Sequence, residues 1–209
     1  MANRFDKQHD LMILDGLRPE RRVAVAAAAL ERMSIGYRLW ALRADGRDSA
    51  DRILQNIWGF VSHGSHLPEM ADVERLYPSP DESVTFELPY AESFLEALQL
   101  FTDFAATREP MRLIEVRQGA YNMAYDAAGD ATIQYSAPGY NGQLTLELEQ
   151  AISFHPWVSR ELDSQTADVQ DARTAINLDA LIDVLRARAI AVPVVSESEL
   201  EEIRSFQAG

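Results

Sequence analysis

The stretch from Arg22 to Trp40 restricts the fold more than any other part of the chain. Val23, Ala26, Leu30, Met33, Tyr37 and Trp40 recur at three- and four-residue intervals, so they share one helical stripe. Ala26 to Ala29 combine the highest helix propensity with almost no side-chain bulk, which lets other helices come close. This segment reads as a central packing helix running to about Met33. Ser34-Ile35-Gly36 reads as a kink or break, because glycine costs about 1 kcal/mol relative to alanine inside a helix. Tyr37 to Leu42 then resumes the helix.

The remaining periodicity is also helical. His9 to Leu14, closed by the turn signal Asp15-Gly16, is either a first helical turn or part of an arm over residues 1–16 lying on the core. Pro19 suits the first turn of the next helix, where its missing N–H has no intrahelical partner. Asp45-Gly46 is a turn, and Asp48 or Ser49 can cap a helix whose apolar face is Ile53, Leu54, Ile57, Trp58 and Val61. A short helix from Pro68 to about Leu76 precedes a break at Tyr77-Pro-Ser-Pro-Asp81. Phe94, Leu98, Phe101 and Ala105 align on one helix, and Met111, Ile114, Tyr121 and Tyr125 on the next. The short connection at Glu109-Pro110 implies that these two pack directly against each other.

Thr132-Ile-Gln-Tyr135 and Leu144-Thr-Leu-Glu-Leu148 alternate apolar and polar residues around Ala-Pro-Gly-Tyr-Asn-Gly, which fits a β-hairpin within 131–148. A loop followed by a helix from about Gln143 is the rival. Pro156 opens the longest helical pattern, Val158, Leu162, Gln165, Val169, Ala172 and Ile176, a seam expected to lie along the central helix. Leu178, Leu181, Ile182 and Leu185 extend it after a bend near Asn177. Pro193 stops it, Ser196 and Glu199 read as a capping box, and a last short helix carries Leu200, Ile203 and Phe206. The expected fold is all-α: one domain over 1–209 with about seven to nine helices, a variable insertion at 129–152 and a capping helix at 193–209.

Charge and composition exclude several classes. There is no cysteine, so disulfides, thiolate metal sites and cysteine nucleophiles are excluded. The longest wholly apolar run, Val23 to Leu30, is far too short to span a bilayer and the amino terminus is polar, so a cytoplasmic protein is expected. The net charge is −14, unevenly placed: residues 1–52 carry +2 and residues 53–209 carry −16. Such a field repels nucleic acid and anionic membranes and attracts a basic protein. The plainer reading is a solvated acidic surface.

His155-Pro-Trp-Val-Ser-Arg-Glu-Leu-Asp-Ser-Gln165 is chemically the densest stretch. On a helix starting at Pro156, Glu161 and Gln165 adjoin while Asp163 points elsewhere. His155, Glu161, Asp163 and Gln165, with Arg52, form the candidate polar site, either a general-base or anion-binding corner or a set of caps and buried groups that fix register. His63-Gly-Ser-His66 has ligand-like spacing but no third ligand close in sequence, so no metal site is assigned. No cofactor fingerprint and no catalytic residue are assigned either.

Two separated stretches resemble the YjaG-like family of bacterial domains of unknown function (domain of unknown function 416). The first is Leu30-Glu31-Arg32-Met33 with Tyr37, followed by Arg52-Ile53-Leu54 and Ile57-Trp58. The second is Pro156, Val158, Glu161, Asp163 and Gln165 in their spacing at a helix start; Tyr77 to Asp81 and Leu185-Arg186-Ala187 match more loosely. The likeness spans roughly residues 17 to 195 and departs at Gly129 to Ile152, which is longer and more strand-like. It implies a compact helical cytoplasmic domain and carries over no activity. Three functions remain: an acidic, non-enzymatic partner of a basic protein, such as an immunity or antitoxin-like module; a small helical enzyme or ligand-binding protein with a pocket near His155, Glu161 and Arg52; and a structural homodimer.

Overall fold

In chain order the helices are α1 (Lys7–Asp15), α2 (Pro19–Arg32), α3 (Ser34–Ala41), α4 (Ala50–His63), α5 (Met70–Glu74), α6 (Leu88–Thr107), α7 (Met111–Ser136), α8 (Leu146–Ser153), α9 (Pro156–Thr174), α10 (Leu178–Ala191) and α11 (Glu197–Gln207). This is a computed structural model, and it describes residues 4–42, 50–78, 85–136 and 144–207. The expected turn at Asp45-Gly46, the caps at Asp48 or Ser49, the Ser79 to Asp81 part of the proline break and the Ala137 to Gly142 loop lie outside the described residues.

α2 is the centre. Ala24 to Leu30 expose no surface, because methyl side chains let α4, α6, α7, α9 and α10 close on the helix from several sides. Its C-terminal end is tied down from far along the chain: the Val194 N–H donates to the Arg32 carbonyl at 3.0 Å, satisfying one of the acceptors a helix end leaves open. Arg21 does the same for α9, donating to the Ala172 and Ala175 carbonyls at 2.5 and 2.8 Å.

The described residues contain eleven helices and no strand, more helices than periodicity suggested. Apolar spacing continues across one- to three-residue breaks at Met33, at Phe154-His155 and at Ala175 to Asn177, so pattern alone merges neighbours. Among the described residues no hairpin is formed, and the helix of the rival reading is, beginning at Leu146. Thr132 belongs to α7, where its hydroxyl donates to the Ala128 carbonyl at 2.6 Å. Thr145 caps α8 by accepting the Leu148 N–H at 3.2 Å, and Leu148 and Ile152 then face inward at helical spacing. That four-residue stripe outcompetes the short alternation through Leu144 and Leu146, which are exposed.

Two further expectations change. The break before α3 falls at Met33, and Gly36 lies inside α3, where it is needed for a close crossing: a Cβ there would sit 2.4 Å from Tyr90 Cβ and 2.9 Å from the Tyr90 carbonyl carbon. The longest helix is α7, with 26 residues, because the pattern opening at Pro156 is divided between α9 and α10. Ile176, read as part of the buried seam, falls in that division and is 93% exposed. The Ser196 and Glu199 capping box forms as read, with Ser196 N–H to Glu199 Oε2 at 2.7 Å and Glu199 N–H to Ser196 Oγ at 3.3 Å. No helix among the described residues is long and apolar enough to cross a membrane.

Candidate functional site

Glu161, Gln165 and Asp168 are four and three residues apart on α9, so they stack on one face, and all three are buried. Arg32, the last residue of α2, enters between them with no exposed surface. Its Nε donates to Glu161 Oε2 at 2.9 Å, its Nη2 to Glu161 Oε1 at 3.0 Å and its Nη1 to Asp168 Oδ2 at 2.6 Å. Arg188 of α10 donates to Asp168 Oδ1 at 2.7 Å and also meets Asp171. Burial alone pulls the Arg32 guanidinium down; the Glu161 and Asp168 carboxylates outweigh it and hold the group above its ordinary value. The position also suits a cation, since the α2 carbonyls end there.

Gln165 links this core to a cavity. Its Nε2 donates to Glu161 Oε1 at 2.8 Å and to the Arg117 carbonyl at 2.9 Å. With two acceptors facing the NH₂, the amide has one sensible orientation, which leaves Oε1 buried and without a hydrogen-bond partner. Arg117, on α7, gives Nε and Nη2 to the two Asp10 carboxylate oxygens on α1 at 2.8 and 2.6 Å. Its Nη1 is likewise buried and unpartnered. Both residues line one cavity of about 260 Å³ between α1, α7 and α9, with Arg4, His9, Thr166 and Arg173 around its exposed edge. Arg4 is paired with Glu149, whereas Arg173 has no ion pair among the described residues.

A further buried carboxylate adjoins the network. Glu31 accepts the Trp58 indole N–H at 2.6 Å, and the Arg186 guanidinium carbon lies 5.7 Å from a Trp58 ring centroid. Burial pushes the Glu31 carboxyl above its ordinary value, against the lowering effect of the Trp58 bond and of Arg186.

Of the candidate residues read from the sequence, the structure brings Glu161 and Gln165 together. The guanidinium they meet belongs to Arg32; Arg52 is exposed on α4. Asp163 is exposed, as its spacing implied. His155 caps α9, its Nδ1 accepting the Trp157 N–H at 3.3 Å, and burial holds its imidazole below the ordinary value. His63 and His66 are exposed. Sequence reasoning missed Arg32, Asp168, Arg117 and Asp10. One signal was available: Val23 to Leu30 is apolar at every position, so the helix is enclosed all round, and a charged pair at its end is enclosed with it.

No family model matches the sequence, and no curated protein sequence matches it. One solved structure that it resembles is described as a DUF416 family protein from Shewanella baltica, with a TM-score of 0.67 and 14% identity over 86% of this chain and 92% of that one. At that identity the likeness shows the fold: this chain folds as a DUF416 family protein does, in line with the family resemblance of its 30–58 and 156–165 stretches.

Proposed function

We propose that the protein binds a compact polar anion in the cavity between α1, α7 and α9. One observation carries this reading: Arg117 and Gln165, which line the same cavity, carry a buried donor, Arg117 Nη1, and a buried acceptor, Gln165 Oε1, that both lack partners. Leaving such groups unmet costs about 1–3 kcal/mol each, so a partner that accepts from one and donates to the other is favoured. A small hydroxy- or amino-carboxylate has both functions, and Arg173, which has no ion pair among the described residues, adds a cation at the edge. The role assigned is binding, with no catalytic residue.

The test is calorimetry with a panel of three- to six-carbon hydroxy- and amino-carboxylates against the wild type and Arg173→Ala. Arg173 is exposed and makes no ion pair among the described residues, so its loss leaves folding intact while weakening the anion. Water filling the cavity would give no heat with any compound, and that result ends the proposal.

The acidic surface supports a second reading, a basic protein partner attracted by the −16 balance after residue 52. Salt-sensitive capture of a basic protein supports it; salt-insensitive binding or none counts against it. Mass in solution decides the homodimer.

A further inference from the structure

The joint between α8 and α9 consists of Phe154 and His155, and His155 ties both helices. Its N–H donates to the Ile152 carbonyl at 3.0 Å, which closes α8, and its carbonyl accepts the Ser159 N–H at 3.1 Å, which opens α9. The side chain adds a third tie. Pro156 has no N–H, so Trp157 carries the first donor of α9, and His155 Nδ1 accepts from it at 3.3 Å. The Trp157 ring holds the imidazole in place, with centroids 4.6 Å apart and the planes at 76°.

A ring nitrogen accepts a hydrogen bond only while it carries no proton. Nδ1 is therefore bare when the cap is formed, and the proton of the neutral ring sits on Nε2. Imidazolium donates from both nitrogens, so protonation and capping exclude each other. The positive end of a 19-residue helix sharpens the conflict, because its N–H groups repel a cation. Asp6, Thr145 and Asn177 cap α1, α8 and α10 through oxygen atoms, which remain acceptors across the neutral range. His155 caps through a group whose ordinary titration falls near neutrality.

The charges around the ring act in both directions. Glu199 and Glu202 of α11 favour the imidazolium, and Arg160 of α9 itself disfavours it. Burial outweighs the two carboxylates and keeps the imidazole below its ordinary value of 6.5. Glu199 is held by the Arg160 fork and by the Ser196 N–H.

We propose that His155 is an acid-released latch on the joint between α8 and α9: neutral, it caps α9; protonated, it lets go of the Trp157 N–H and turns toward the carboxylates of α11. The first turn of α9 opens when the latch is released. The latch is closed above the ordinary imidazole value and opens as pH falls through the lower folded one.

The test follows full-length protein by nitrogen NMR from pH 8 to pH 4.5, reading the His155 ring nitrogens and the exchange protection of backbone amides. At pH 8 the ring is expected to carry its proton on Nε2. Protection of the Trp157 amide then falls about fivefold as His155 titrates, whereas Ala180, whose N–H meets Asn177 Oδ1 at 2.8 Å, keeps its own. His155→Asn supplies a favoured cap that does not titrate in this range, so the variant folds and holds Trp157 protection to pH 4.5. Glu202→Gln removes a charge that favours the imidazolium and moves the His155 midpoint and the Trp157 loss together to lower pH. The proposal is overturned by a proton on Nδ1 at pH 8, by Trp157 protection that does not follow His155, or by the same loss in His155→Asn.

Discussion

Arg32 gives Nη1 to Asp168 at 2.6 Å with neither side chain exposing any surface, so a bond between residues 136 positions apart joins the centre of the fold to α9. Two buried ions are expensive to desolvate, and breaking such a pair from one side leaves the other charge stranded. Asp168 keeps Arg188 when Arg32 is lost, whereas among the described residues Glu161 keeps only the Gln165 amide.

Arg32→Met is therefore expected to lower the unfolding free energy by about 3–5 kcal/mol, read from urea denaturation. Adding Glu161→Leu restores a substantial part of that loss, because the stranded carboxylate is gone. A double variant less stable than Arg32→Met would show that the loss comes from cavity formation.

Two glycines in helices are expected to respond oppositely to the same added methyl. At Gly36 the methyl meets the backbone of Tyr90, which cannot move aside, so Gly36→Ala forces α3 off α6 and costs about 3 kcal/mol. At Gly119, within α7, the nearest atoms would be Met33 Cε at 3.6 Å and Ala97 Cβ at 3.8 Å, ordinary contacts. Gly119→Ala gains about 0.5–1 kcal/mol through helix propensity. Thermal melts of the two variants check both signs.

Legibility in the sequence follows the range of the interactions. The α2 seam, the junction of α6 and α7, and the Ser196 cap depend on neighbours within a few residues and could be read directly. The pairing of Glu161 with Gln165 was legible for the same reason. Arg32 with Glu161, and Arg117 with Asp10, span 129 and 107 positions, and the one local mark that separates Arg32 from Arg52 is the unbroken apolar run before it. Arg52 draws attention as the cation because it precedes an apolar face; the actual one lies at the end of a helix closed on all sides. The segment at 131–148 stayed open between a hairpin and a loop plus helix because four residues of alternation cannot separate a strand from a helix end, and Thr145 settles the matter only once its hydroxyl is seen accepting from Leu148.

Glu31 is expected to weaken the fold when ionised. Burial raises its folded value above the usual 4.5, so its stabilising contribution is complete below that value and is lost as pH rises through the folded one. Glu31→Gln keeps an acceptor for the Trp58 indole and removes the charge. It is expected to melt higher than the wild type at about pH 7, with the gain closing once both proteins are below the ordinary carboxylate range. An equal gain at every pH would place the effect outside ionisation.

Glu199 is expected to behave in the opposite sense. Burial raises its carboxyl, but the Arg160 fork at 2.7 and 2.8 Å and the bonds from Ser196 outweigh it, leaving the group below the usual carboxylate range. Its contribution is therefore present above the unfolded value and lost as pH falls through the depressed folded one. Glu199→Gln removes the charge-assisted fork that ties α11 to α9, and is expected to cost about 1 kcal/mol near neutral pH. The difference from the wild type shrinks toward zero in acid, where Glu199 is protonated in both states. Melting both proteins across the acid range checks it: a deficit that persists below the folded value would mean that the substituted amide fails as a cap whatever the charge it replaces.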